Sequence, residues 1–219
     1  MNTTSMRLSL GETKAVSLIA LPALISLGVT GLRLVGELKH WSPVLFNRSA
    51  GGAFALVGIV WLIPIFGVYF AAHLSRSGKG PTSRAKAIGF AAGGIVVFIA
   101  ISTGAMGLLM EPRGRILAIN IIAVGSAYLA SRGWPQLART ALAYGIAARV
   151  PVAAIMLIAI SAGWGTHYEL GPPNFPAMGV LATWFWIGFL PQLFFWIAFT
   201  IMATLLCGSF WLLVARKRA

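Results

Sequence analysis

The chain has 219 residues, of which 58% are hydrophobic and only 10% charged. A water-soluble domain carries about 25% charged residues, so an ordinary soluble fold is excluded, and the long apolar runs leave no room for a second, water-soluble domain. The formal net charge of +13 comes from 17 Lys and Arg against 4 Asp and Glu. These basic residues lie between apolar runs, not in a polar domain of their own. They therefore point to topology control and to anionic lipid headgroups, and away from nucleic acid.

Residues 1–14 are polar and precede the first apolar run, which covers residues 15–36. That order resembles a signal peptide, but the run is too long for such a core and no small-x-small cleavage site ends it. It reads as a retained first helix. Further spans are expected at residues 52–72, 87–110, 116–131 and 138–163, the fourth short but extensible over its flanks. About 20 residues at 1.5 Å rise cross the hydrocarbon core.

The last apolar stretch, 177–215, is too long for one span and offers only Pro191-Gln192 as a break. The expectation is an interfacial segment rich in aromatics (Trp184, Phe185, Trp186), then a true span over 189–214. Pro191 would then fall in the first turn, where its missing N–H costs nothing. Trp favours the headgroup level, which suits this placement. The predicted fold is thus an all-α transmembrane bundle of six spans forming a single integral membrane domain.

Orientation follows from the basic residues. With the N-terminus inside, eleven fall on the cytoplasmic side, chiefly in the loop around Arg76–Lys86 and the tail 216–218. Five fall outside: Arg33, Lys39, Arg48, Arg113 and Arg115. This positive-inside bias places both termini in the cytoplasm and the chain in the cytoplasmic membrane.

Arg149 remains, about ten residues into the fifth span. A charge near the bilayer centre costs at least ~2.5–3.5 kcal/mol, and no predicted span contains an acid. Other acceptors exist, because a mid-helix proline frees a carbonyl four residues earlier. Pro151, Pro64 and Pro22 would free Ala147, Val60 and Leu18. Arg149 is therefore expected to face the bundle interior, toward the helices of Pro64 or Pro22. There it acts as a staple, or as a site for an anionic ligand or lipid phosphate together with Pro64 and Pro151. In a different register it would snorkel to an interface. Gly58-Ile59 before Pro64 echoes Gly145-Ile146 before Pro151 at the same spacing, the mark of an inverted repeat if it is real.

A second constellation is sided. Glu37, Glu111 and Glu169 fall outside with His40 and His167. Glu37 and His40 are three residues apart, on one face if the first helix continues that far. Such residues can ligate transition metals or form a catalytic site, but they lack a repeated Glu-x-x-His pair, an HExxH pair or a cysteine cluster. Surface pairing with the outer basic residues accounts for them, and no metal or cofactor is assigned. Cys207 is a packing residue. Gly89, Gly93 and Gly94 form a small-residue face suited to close helix packing inside the bundle or to a dimer contact. The functional classes that survive are a small permease, exporter or channel component, a scaffold or accessory subunit with a membrane-protein partner or a second copy, and a membrane enzyme using the outer Glu/His set. The transport-like class fits Arg149 and the interrupted helices.

Overall fold

The computed structural model describes the backbone of residues 3–50, 55–108 and 111–215, and the side chains in those ranges from residue 17 onward. The expected start of the second span, the end of the third and the basic tail 216–218 lie outside the described residues. Six helices long and apolar enough to cross a membrane make up the bundle, and no strand occurs among the described residues. They are α1 (Thr3–Leu38, its apolar part Ser17–Leu38), α2 (Leu62–Arg76), α3 (Arg84–Leu108), α4 (Pro112–Ser131), α5 (Pro135–Ala162) and α6 (Val180–Val214). A 3-10 turn, Ile59–Trp61, leads into α2, and another, His167–Glu169, lies between α5 and α6.

Helix α6 is the most buried of the six and packs on α2, α3, α4 and α5. Glycine makes these approaches close. A Cβ at Gly67 of α2 would lie 3.0 Å from the Thr204 backbone, and one at Gly208 of α6 would lie 2.7 Å from Leu137. The α3–α4 pair meets at Gly94, where a Cβ would stand 2.7 Å from that of Ala130. Gly89 and Gly93 meet nothing within 4 Å, so of the expected small-residue face only Gly94 packs internally. The other two glycines lie on a side of α3 that no helix covers.

Two helices depart from the sequence expectation, for one reason each. The second span begins at Ile59, later than residue 52, because Gly58 is extended (φ −170°, ψ 154°) and residues 55–58 run outside any helix. Pro64 consequently sits in the first turn of α2, where it breaks no hydrogen bond. Pro151 lies in the middle of α5, so the apparent Gly-Ile/Pro repeat places its two prolines differently and has no structural counterpart. Helix α6, in turn, is one continuous helical run, with no break between the aromatic segment and the span that follows it. Its aromatic opening is wound as π-helix over Trp184–Phe189 and again over Pro191–Phe195, before regular α-helix from Trp196. Pro191 is therefore interior. Widening the turns to i→i+5 bonding lets a proline and bulky rings pass without ending the helix. The Trp184 Nε1–H donates to the Ala153 carbonyl at 2.8 Å, well inside α5. Packing against α5 holds that ring.

Candidate functional site

A cavity of about 770 Å³ opens in the half of the bundle remote from the chain termini. Its walls come from α1, the Ile59–Trp61 turn, α5, the His167 turn and the π-wound part of α6, with Ile116 of α4 completing the lining. Most of the wall is apolar, including Val29, Ile59, Val152, Met156, Ile187 and Phe195. Trp61 is 60% exposed at the rim. Among the described residues the polar lining side chains are Thr30, Arg33, Arg149, His167, Tyr168 and Gln192.

Arg149 stands at the middle of α5 and is 4% exposed. Its Nη1–H donates to Gln192 Oε1 over a long 3.4 Å, and its Cζ lies 4.6 Å from the Trp196 ring centre. The π-winding of α6 sets both partners, since it presents Gln192 and Trp196 toward α5. Gln192 is steadied in turn by Nε2 donating to Met156 sulfur at 3.6 Å. Asn120 of α4 accepts the Phe195 N–H through Oδ1 at 2.9 Å, bracing the irregular turn from the far side. A guanidinium carries five N–H donors, and no carboxylate reaches this one among the described residues. The inward orientation matches expectation. The neighbours do not: Arg149 meets α6 at the Pro191-Gln192 break, and neither Pro64 nor Pro151 lines the cavity. Pro64 cannot supply a freed mid-helix carbonyl once it lies in a first turn.

At the upper wall, α1 continues to Leu38 and buries Glu37, which is 1% exposed. A carboxylate in the last turn of a helix opposes the macrodipole, and here Arg33 and His167 compensate. Arg33 Nε–H donates to Glu37 Oε1 at 2.9 Å, one turn earlier on α1. The His167 backbone N–H donates to Oε2 at 2.9 Å. His167 Nδ1 lies 2.5 Å from Oε1, at angles that fall short of a hydrogen bond. Burial pulls the His167 pKa below its ordinary value, and the Arg33 charge adds to that, while Glu37 opposes both. The Tyr168 ring centre lies 3.9 Å from that of His167 with the planes tilted by 42°, and burial pushes its phenol upward.

The expected outer Glu/His set thus divides. Glu37 meets His167, which lines the cavity. His40 stands nearby but turns to Arg48, which also donates to the Glu37 carbonyl. Glu169 is consumed locally, accepting from Gly165 N–H, Thr166 N–H and the Thr166 hydroxyl at 3.1 Å each. Glu111 is remote: it caps α4 through Gly114 N–H at 2.7 Å and pairs with Arg113 at 2.8 Å. The Arg113 side chain holds that carboxyl below its usual range. Surface pairing therefore describes Glu111, whereas Arg33–Glu37 is a buried pair. Among the described residues no three of His, Cys, Asp and Glu gather as a metal set. Sequence reasoning missed Gln192, Trp196, Asn120 and Tyr168. The signal for Arg33–Glu37 was present as an i, i+4 spacing, but the first span was ended one residue too early for it to be used.

The fold and cavity define a polytopic α-helical membrane protein with a cationic, largely apolar internal cavity. Compared with known protein families, with curated proteins and with solved structures, the chain matches none.

Proposed function

We propose that this is a small permease-like membrane protein whose cavity takes an anion with an apolar body, the anionic group paired with Arg149. The observation that carries the reading is the state of that guanidinium. It is almost fully buried at mid-helix, touches a cavity, and has one long hydrogen bond and one ring face as partners. A buried charge without a counter-ion is costly, and an anion arriving in the cavity supplies the counter-ion. The apolar walls then cover the remainder of the ligand, in the usual manner of a small-molecule site with few polar groups. A π-wound helix beside the cavity supports the same reading, since such turns are frequent at functional sites. The basic loops near the chain termini favour a cytoplasmic placement of that side, which puts the cavity in the outer half of the membrane. Those loops also suit anionic headgroups there.

The test is ligand-dependent thermal stabilisation of the full chain in nanodiscs of zwitterionic lipid, with decanesulfonate and methanesulfonate as probes. Decanesulfonate is expected to raise the unfolding temperature, and methanesulfonate to do so far less. Arg149→Leu is expected to reach the membrane at normal abundance and lose the response, because apolar packing can replace a buried charge at little cost. Arg149→Lys keeps the charge without the planar fork and should retain part of it. Equal stabilisation of Arg149→Leu and wild type would overturn the assignment. A full response to methanesulfonate would move the ligand class from amphiphiles to small free anions.

A further inference from the structure

We propose that the cavity binds its anion together with a proton, which His167 accepts. The inference rests on the anion reading above and adds a second ligand to the same site. Among the ionisable residues that line the cavity, Arg33 and Arg149 keep their protons throughout the physiological range. Tyr168 is pushed further toward its neutral form by burial. His167 is the one lining side chain whose charge changes near neutral pH.

Its setting is built for that change. Glu37 anchors the turn by accepting the His167 backbone N–H, with His167 Nδ1 lying 2.5 Å from its Oε1, and Glu37 is itself held by Arg33. The His167 side chain lines the cavity. The charges facing His167 are few. Helix α1 brings Glu37 and Arg33, α5 brings Arg149 across the cavity, and α6 brings only the neutral Gln192. Tyr168 lies beside it, Glu169 is turned to Gly165 and Thr166, and His40 and Arg48 hold one another beyond Glu37.

In the empty cavity Glu37 balances Arg33, and Arg149 has no carboxylate beside it among the described residues. A proton on His167 would add a second positive charge in an apolar wall, in line with the downward pull that burial and Arg33 exert on it. An anion at Arg149 cancels the first charge and makes room for the second. Linkage is reciprocal, so the protonated cavity binds the anion more tightly by the same factor. The loaded pair of anion and proton is neutral, which lowers the cost of moving an anionic group within hydrocarbon.

Calorimetric titration of the full chain in zwitterionic nanodiscs with decanesulfonate tests this, because a sulfonate keeps its charge from about pH 5 to about pH 8 while His titrates. Repeating each titration in two buffers of different ionisation enthalpy gives the number of protons taken up. The expected result is an uptake approaching one proton per anion. The affinity should fall by up to roughly tenfold per pH unit as pH rises above the His167 titration of the empty protein. His167→Gln should bind with a flat pH dependence and no uptake. Binding by wild type with no uptake at any pH would overturn the proton inference and leave the anion site standing. Undiminished uptake in His167→Gln would also overturn it. Absence of any Arg149-dependent binding would overturn the anion reading itself, and the proton inference with it. The buffer comparison on wild type decides the question even if the His167 variant does not fold.

Discussion

At the scale of single residues, Glu37 shows how a charge earns its place in an apolar wall. It is the residue that ties the end of α1 to the segment between α5 and α6, by one ion pair along its own helix and two contacts to His167. Removing it takes from the buried Arg33 its Glu37 carboxylate. Breaking one partner of a buried pair typically costs about 3–5 kcal/mol, and Arg33 also donates to the Asn47 carbonyl at 2.9 Å, so the lower part of that range is expected for Glu37→Ala. Thermal unfolding in nanodiscs measures the loss. Limited proteolysis should show residues 164–176 cut sooner than in wild type, and an unchanged cleavage pattern would mean that Glu37 does not secure that segment. His167 gives the matching pH dependence. Its folded pKa is depressed, so below the ordinary histidine value near 6.5 the unfolded chain binds the proton first. Ligand-free stability should therefore hold above that value and decline as pH falls from it toward the folded pKa. A thermal scan across pH in the absence of anion checks the sign.

At the scale of elements, the π-wound opening of α6 does most to shape the cavity. Regular α-helix through Pro191 would turn Gln192 and Trp196 to other faces, and Arg149 would lose both partners. Asn120 braces that winding from α4 by accepting the Phe195 N–H, with its own Nδ2–H donating back to the Ile116 carbonyl at 2.7 Å. Asn120→Leu removes the acceptor while keeping the bulk. An unmade hydrogen bond of this kind costs about 1–3 kcal/mol, so a lowered unfolding temperature is expected. The more telling readout is function, because the loosened turn should weaken decanesulfonate binding although Asn120 does not line the cavity. A variant that is less stable yet binds as wild type would separate the brace from the site.

At the scale of the whole molecule, an even number of spans brings the start of α1 and the end of α6 to one end of the bundle. The Arg84 guanidinium donates to the Leu212 carbonyl at 2.8 Å, and the Trp134 indole N–H donates to the Lys79 carbonyl at 3.0 Å. These contacts close that end with the basic loops. The opposite end carries the cavity and the His167 turn. Single cysteines introduced at positions 84 and 167, with Cys207 replaced, should label from opposite faces of a sealed vesicle. Labelling of both from one side would refute the six-span arrangement. The positive-inside bias further predicts that position 84 is the cytoplasmic one.

The number of spans and the inward turn of Arg149 were legible in the sequence. Uncharged runs of such length have no other stable solvent than hydrocarbon, and a guanidinium in that solvent must turn from lipid. The limits of the apolar spans were legible to within a few residues, except where Gly58 delays α2 and where π-winding carries α6 through Pro191; the helical start of α1 at Thr3, ahead of its apolar part, was not. What Arg149 meets was not legible. Its partner Gln192 is 43 residues away along the chain, and Glu37 finds His167 across 130. Hydropathy reports the preference of a segment for lipid or water, and that preference is nearly the same for every rotation of the segment about its axis. Rotation and depth are set only when helices pack, through glycine contacts such as Gly67 with Thr204 and Gly94 with Ala130. That packing is what brings a buried arginine and a histidine backed by its carboxylate together at one cavity.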